Sequence, residues 1–111
     1  MNWIPLTHET QLIEIAEKSY HKPQVIFKHS TRCSISSTVQ NRLNNVSNDS
    51  VDAYHLDLIT HRNISNTIAS TYHVHHESPQ ILLIQNGACT YTDSQLTIQW
   101  ADVEELLPYY K

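Results

Sequence analysis

The only glycine in this 111-residue chain is Gly87, and it directly follows Asn86. An Asn-Gly pair between two strand-like runs is the strongest short-range signal for a β-hairpin, because a type I′ turn needs positive φ at both positions. Gln80–Gln85 precedes the pair and Ala88–Thr92 follows it. The sequence therefore predicts two antiparallel strands near the end of the chain.

The first half of the chain predicts a parallel pair of strands instead. Gln24–His29 is typical of a short buried strand, and Val51–Ile59 alternates as a second strand does. Between them, apolar residues at helical spacing predict a helix, and these are Ile35, Val39, Leu43 and Val46. Two strands that flank one helix run parallel, with a right-handed crossover.

Three further helices are predicted around these strands. Thr7 caps the first of them, and Pro23 ends that unit because a helix interior rejects proline. The next spans roughly His61–Tyr72, and the last ends before Pro108. The apolar residues of the last helix are Trp100, Val103, Leu106 and Leu107.

Taken in order, these elements predict an α/β fold with a mixed four-stranded sheet and helices on both faces. Thioredoxin-like folds have this element order, whereas a flavodoxin-like fold needs further strand–helix repeats that are absent here. No repeat or linker interrupts residues 1–111, and the length suffices for one core. A single thioredoxin-like domain is therefore expected.

Cys33 lies where the first predicted strand meets the second helix. The N–H groups at a helix start lack intrahelical acceptors and the dipole is positive there, so a thiolate is favoured over a thiol. A thiolate is the nucleophile of disulfide exchange. Arg32 and His29 are close in sequence and could add positive potential. The alternative is a buried, inert cysteine, the commoner fate of a lone thiol.

Two other positions bear on the chemistry of Cys33. Ser36 stands three residues later, where a dithiol enzyme has its resolving cysteine, and a serine cannot form the internal disulfide. This indicates low-molecular-weight thiol adducts as substrates, cleared by an external thiol.

In thioredoxin folds a cis-proline faces the nucleophile, and Pro79 fits that site. The backbone of Ser78 could then pair with an extended substrate.

Composition excludes several other functions. A net charge of −4 with seven basic residues argues against nucleic-acid or anionic-membrane partners. One glycine is too few for a P-loop or a dinucleotide fingerprint, which argues against nucleotide binding. No tightly bound cofactor is expected. No segment has the apolar length of a membrane span and the start does not resemble a signal peptide, so a cytoplasmic protein is expected.

Cys89 is predicted to be a core or half-buried thiol, too far along its strand to resolve Cys33.

Several segments together are similar to one family. They are Trp3–Leu6, Phe27–Ser36, Glu77–Gln80, the Asn86-Gly87 hairpin and the following Ser94. On these residues the chain resembles the monothiol bacilliredoxins of the YtxJ type, small proteins of the thioredoxin-like superfamily. The family's usual proline after the cysteine is Ser34 here, and its usual histidine after Ser94 is Gln95.

The resemblance implies a thiol–disulfide oxidoreductase that removes bacillithiol from S-bacillithiolated client proteins. Cys33 would be catalytic: it attacks the mixed disulfide and carries bacillithiol, the thiol co-substrate, until another bacillithiol or a disulfide reductase regenerates it. Backbone amides near Ser78 and the charge of Lys28 or Arg32 would bind the malate carboxylate of bacillithiol. The thiolate environment is assigned to Arg32, Ser34 and Ser36, and Ser36 would at most donate a hydrogen bond to the thiolate. Substrate contacts are assigned to Thr31, Ser78, Pro79 and Ser94.

Three alternatives stay open from the sequence. A monothiol protein of this fold can hold an iron–sulfur cluster between two subunits, although the lack of glycine near Cys33 counts against it. A thiol sensor or adaptor could be modified at Cys33 without turnover. His73, His75 and His76 could bind a metal, but only Glu77 accompanies them as an acidic ligand. The tail Tyr109–Lys111 has no assigned role.

Overall fold

The strongest apolar runs of the sequence form the middle of one sheet. A computed structural model describes residues 1–108. Its strands are β1 (Trp3–Pro5), β2 (Gln24–His29), β3 (Asp52–Asp57), β4 (Gln80–Gln85) and β5 (Ala88–Ser94). Its α-helices are α1 (Thr10–Lys18), α2 (Ser34–Asn44), α3 (Arg62–Tyr72) and α4 (Trp100–Glu104), with a 3₁₀ turn at Gln95–Thr97.

The strand order confirms the predicted mixed sheet. The strands lie side by side as β1-β3-β2-β4-β5. β2 runs parallel to β3 and antiparallel to β4, and β4 is antiparallel to β5. This is the expected combination of a parallel crossover unit with a C-terminal hairpin.

The sheet has five strands rather than the predicted four. The extra strand is β1, which pairs in parallel with β3 through Trp3, opposite Ala53, and Pro5, opposite His55. A strand of three residues is too short to show an alternating pattern, and proline is tolerated there because β1 lies at the edge of the sheet.

Helices cover both faces of the sheet, as predicted. α2 and α4 pack on one face, and their buried residues share a cluster with Val25, Phe27, Ile81 and Leu83. α1 and α3 pack on the other face, against Ile26, Tyr54, Leu56, Leu82 and Ile84. Because side chains alternate along each strand, β2 and β4 supply both cores. No helix within residues 1–108 is long and apolar enough to cross a membrane.

Two helix ends differ from the sequence predictions. Thr7 does not cap α1, which starts at Thr10; instead the Gln11 side chain accepts hydrogen bonds from the N–H groups of Thr7 and His8 at 2.8 and 2.9 Å. A side chain inside the helix thus satisfies the preceding turn. The last helix stops at Glu104, before the predicted Leu106 and Leu107. The tail Tyr109–Lys111 lies outside the described residues.

The hairpin turn has the predicted geometry and an unexpected anchor. Asn86 has φ of 52° and Gly87 has φ of 76°. The buried Ser19, just after α1, holds both residues: its carbonyl accepts the Asn86 N–H at 2.9 Å and its hydroxyl accepts the Gly87 N–H at 2.8 Å. A Cβ atom at Gly87 would come within 2.5 Å of the Tyr20 hydroxyl.

Replacing Gly87 with alanine is expected to lower the free energy of unfolding by about 1–2 kcal/mol, because a Cβ disfavours positive φ. The clash with Tyr20 contributes less, since that side chain is 61% exposed and can swing away. Urea denaturation measures the effect, and Tyr20→Ala in the Gly87→Ala background isolates the clash. Unchanged stability of the Gly87→Ala protein would contradict this account of the turn.

Candidate functional site

Cys33 occupies the junction of β2 and α2, where the sequence places it. It is the residue immediately before α2, with an extended backbone (φ −116°, ψ 118°), and its side chain is half-buried. Its N–H donates to the Ser30 carbonyl at 3.2 Å, and its own carbonyl accepts the Ser37 N–H at 3.2 Å. The sulfur therefore belongs to the first turn of a helix, where unpaired N–H groups favour an anion.

Ser36 holds this junction together. Its side chain is fully buried, and its Oγ lies 2.7 Å from His29 Nδ1 and accepts the Ser30 N–H at 3.0 Å. One hydroxyl thus joins the end of β2, the turn and the first turn of α2. The predicted hydrogen bond from Ser36 to the Cys33 thiolate stays a prediction.

His29 does not supply the positive charge that the sequence suggested. It is buried beside His55, with ring centroids 5.3 Å apart, and the Gln40 Oε1 lies 2.6 Å from His55 Nε2. Burial lowers the pKa of His29 below its ordinary 6.5, although Asp57 opposes the shift. Burial and the neighbouring His29 lower the pKa of His55 as well. Both rings are therefore mainly neutral at neutral pH.

Ser78 and Pro79, together called the proline loop, lie at the same edge of the sheet as Cys33. Lys28, just before the end of β2, pairs with Gln80, and Gln80 pairs with Ser94. This brings Ser78, Pro79 and Ser94 to the end of β2 from which the chain leads to Cys33. The Ser78–Pro79 peptide bond is cis.

The remaining predicted site residues flank Cys33 on the surface. Thr31, Arg32 and Ser34 are exposed. The backbone N–H of Arg32 lies 3.4 Å from the Ser30 Oγ. The positions of these residues permit the assigned contacts with the thiolate or with a substrate, which stay predictions.

Comparison with known proteins decides the family. A family model described as monothiol bacilliredoxin BrxC matches residues 4–103. The chain belongs to the monothiol bacilliredoxin family.

Solved structures agree with this family and with the fold. One, described as a proposed oxidoreductase with a thioredoxin fold, has a TM-score of 0.82 and 27% identity over 93% of this chain and 91% of its own. Oxidized thioredoxin O2 from Arabidopsis thaliana has a TM-score of 0.71 and 17% identity, covering 98% and 95%. Thioredoxin from Fasciola hepatica has a TM-score of 0.70 and 14% identity, covering 96% and 98%. This bacilliredoxin is a thiol–disulfide oxidoreductase with the thioredoxin fold.

Lys28 cannot bind a substrate carboxylate, contrary to the sequence prediction. Because Phe27 and His29 face α2, the alternation of β2 turns Lys28 to the other face, where it is fully buried. Its Nζ donates to the Ser65 carbonyl at 3.3 Å and lies 3.4 Å from His76 Nδ1. Burial lowers the pKa of Lys28 from its ordinary 10.5 to about 8.

The histidine cluster does not assemble as a metal site. No group of three or more potential metal ligands converges among residues 1–108. His73 and His75 are exposed, whereas His76 points at Lys28 and lies 3.1 Å from the Ser65 Oγ. Burial and the Lys28 charge lower the pKa of His76, and an adjacent ammonium group disfavours a bound cation.

Cys89 is a half-buried core thiol, as predicted. Leu83 pairs with Tyr91 but Ile84 pairs with Cys89, so Thr90 forms a β-bulge that turns Cys89 toward α1 and α3. Cys33, by contrast, begins the helix on the opposite face. Burial raises the pKa of the Cys89 thiol, which keeps it protonated at neutral pH.

Gln95 contacts the predicted site in a way that the sequence does not predict. Its Nε2 donates to the Ser78 carbonyl at 2.8 Å and its N–H donates to the Pro79 carbonyl at 3.0 Å. Its backbone has φ of 62°. No local pattern could reveal a side-chain bond to a residue 17 positions earlier.

The Ser36→Ala variant is expected to lose about 1–3 kcal/mol of stability, because it leaves the buried Ser30 N–H without an acceptor. Chemical denaturation measures the loss. Ser37→Ala is the matched control: Ser37 is exposed, and its removal should change stability by less than about 0.5 kcal/mol. Equal effects of the two substitutions would show that the buried hydroxyl does not stabilise the junction.

Lys28→Met is expected to stabilise the protein at pH 7 by up to about 3 kcal/mol, since it removes a buried charge without an ion-pair partner among residues 1–108. The folded-state pKa of about 8 lies below the ordinary 10.5, so the penalty is complete below pH 8 and disappears as pH rises to 10.5. The advantage of the variant should therefore shrink between pH 7 and pH 9.5, as urea unfolding at the two values will show. A pH-independent difference would contradict this assignment.

Proposed function

We propose that this chain is a cytoplasmic monothiol enzyme that removes bacillithiol from S-bacillithiolated proteins. The observation that carries the proposal is that Cys33 lies at the start of α2 and that the residue three positions later is a buried serine. The helix start favours the attacking thiolate, and Ser36 stands where a dithiol enzyme has the thiol that displaces the adduct. Its membership of the monothiol bacilliredoxin family supports the choice of bacillithiol.

The first step is an exchange between two sulfur–sulfur bonds. The Cys33 thiolate attacks the bacillithiol sulfur of the mixed disulfide, and the client cysteine leaves as a thiolate. Cys33 then carries bacillithiol as a mixed disulfide. In the second step an external thiol, from another bacillithiol or from a disulfide reductase, attacks the bacillithiol sulfur and releases the Cys33 thiolate. Every step conserves electrons, so no tightly bound cofactor is needed.

Surface residues around Cys33 are the proposed substrate contacts. Arg32 is the remaining cation for the malate carboxylate of bacillithiol, because it is exposed next to Cys33 whereas Lys28 is buried. Thr31 and Ser94 supply polar groups at the same edge. Ser78 and Pro79 form the neighbouring wall. Client proteins, bacillithiol and a disulfide reductase are the proposed partners, with no nucleic acid or membrane.

Incubating the reduced protein with a bacillithiol-capped client thiol should move the adduct onto this chain, as followed by intact-mass spectrometry. Cys33→Ala is expected to abolish transfer, because it removes the nucleophile. Cys89→Ala is the matched control and should transfer normally, since Cys89 is half-buried and kept protonated.

Two results would overturn this proposal. A block of transfer by Cys89→Ala alone would assign the wrong nucleophile. Failure of the wild-type chain to accept bacillithiol, while it still reacts with other small disulfides, would favour a thiol sensor or adaptor over a de-bacillithiolating enzyme.

A further inference from the structure

The carbonyl groups of Ser78 and Pro79 both accept a hydrogen bond from the same residue. Gln95 donates its side-chain Nε2–H to the Ser78 carbonyl at 2.8 Å and its backbone N–H to the Pro79 carbonyl at 3.0 Å. Pro79 has no N–H of its own. The N–H of Ser78 is therefore the one backbone group of this pair outside the Gln95 contacts.

The turn that carries Gln95 is held firmly from its other side. Arg42, on α2, donates from Nη1 to the carbonyl groups of Leu96 at 3.0 Å and Ile98 at 2.6 Å. Gln95 itself adopts φ of 62°, a conformation that a residue with a Cβ rarely takes without compensating contacts. The two bonds to Ser78 and Pro79 are such contacts, and α2, the turn and the proline loop form one connected unit.

An extended polypeptide that docks beside Cys33 would use the backbone of Ser78. Adding a strand to an exposed backbone edge takes its affinity from main-chain hydrogen bonds. Here the acceptor for such pairing, the Ser78 carbonyl, already accepts from Gln95. A client N–H must therefore compete with the Gln95 side chain for this acceptor, whose oxygen has two lone pairs. A small thiol adduct needs no backbone pairing.

We propose that Gln95 determines specificity by competing for the Ser78 carbonyl and so weakening backbone pairing there, so that the site recognises the small-thiol part of a mixed disulfide in preference to the client chain. This inference rests on the proposed monothiol exchange at Cys33 and names its substrate class: small-thiol adducts on cysteines in any sequence context. Gln95 acts here as a specificity residue, separate from the reacting sulfur atoms.

The test compares two mixed disulfides that differ only in chain length. One is N-acetylcysteine amide and the other is a peptide of about ten residues with a central cysteine. Both carry 2-mercaptoethanol as the cap, so the result does not depend on bacillithiol recognition. The ratio of the second-order rate constants, peptide over single residue, measures backbone docking. The wild-type ratio should be close to one.

Gln95→Ala and Gln95→Glu should both raise this ratio about three- to tenfold, the factor expected for one additional hydrogen bond. Glutamate keeps the size of the side chain but cannot donate at neutral pH. Gln99→Ala, at an exposed glutamine four residues later, is the matched control and should leave the ratio unchanged. An unchanged ratio in both Gln95 variants, or equal changes in the two rate constants, would show a merely structural role and overturn the proposal.

A binding measurement separates this proposal from the proposed chemistry. In a Cys33→Ser background, titration of the uncapped peptide should shift the Ser78 amide resonance in ¹⁵N spectra at lower peptide concentration when Gln95 is also replaced by alanine. This readout needs no thiol exchange, so it decides the role of Gln95 even if bacillithiol transfer fails. Equal peptide binding with and without the Gln95 side chain would contradict the proposal.

Discussion

The buried hydroxyl of Ser36 is the contact on which the position of Cys33 depends. It joins His29 at the end of β2, Ser30 in the turn and the start of α2, with no exposed atoms. Inside a protein such a polar group is favourable only when its hydrogen bonds are complete. The junction is therefore held in one geometry, with Cys33 at its accessible side. The position that holds the second thiol in dithiol enzymes is here a serine whose hydrogen bonds fix the junction between β2 and α2.

Much of the fold could be predicted because its signals are local. The Asn86-Gly87 turn needs positive φ at both residues, and Val25–Phe27 forms an apolar centre in the run Gln24–His29 that indicates a buried strand. These elements, with the helix that starts after Cys33, determine the crossover and the hairpin, and so the mixed sheet. The placement of Cys33 at a helix start followed directly from the boundary between strand and helix.

The features that could not be predicted depend on contacts between distant segments. β1 is a strand only because it pairs with β3. Lys28 lies in β2 and points to the face of the sheet opposite α2, where it is buried. The sequence does not show which face α2 covers. The β-bulge at Thr90 changes the face of the sheet to which the neighbouring side chains point, and no glycine in β5 indicates it. Gln95 lies in a turn whose conformation is supported by Arg42 and by the proline loop, and neither is near it in sequence.

The placement of the two cysteines also limits how much modification one molecule can hold. Cys33 is at the start of a helix on one face, while Cys89 is half-buried toward the other face and stays protonated through burial. In the proposed exchange Ser36 cannot take over an adduct from Cys33, so each polypeptide would store a single equivalent. The amount of adduct that a population of these molecules could absorb before external thiols arrive would then be set by their number. In that interval the protein would be a stoichiometric reservoir, and its turnover would follow the rate at which external thiols remove the adduct.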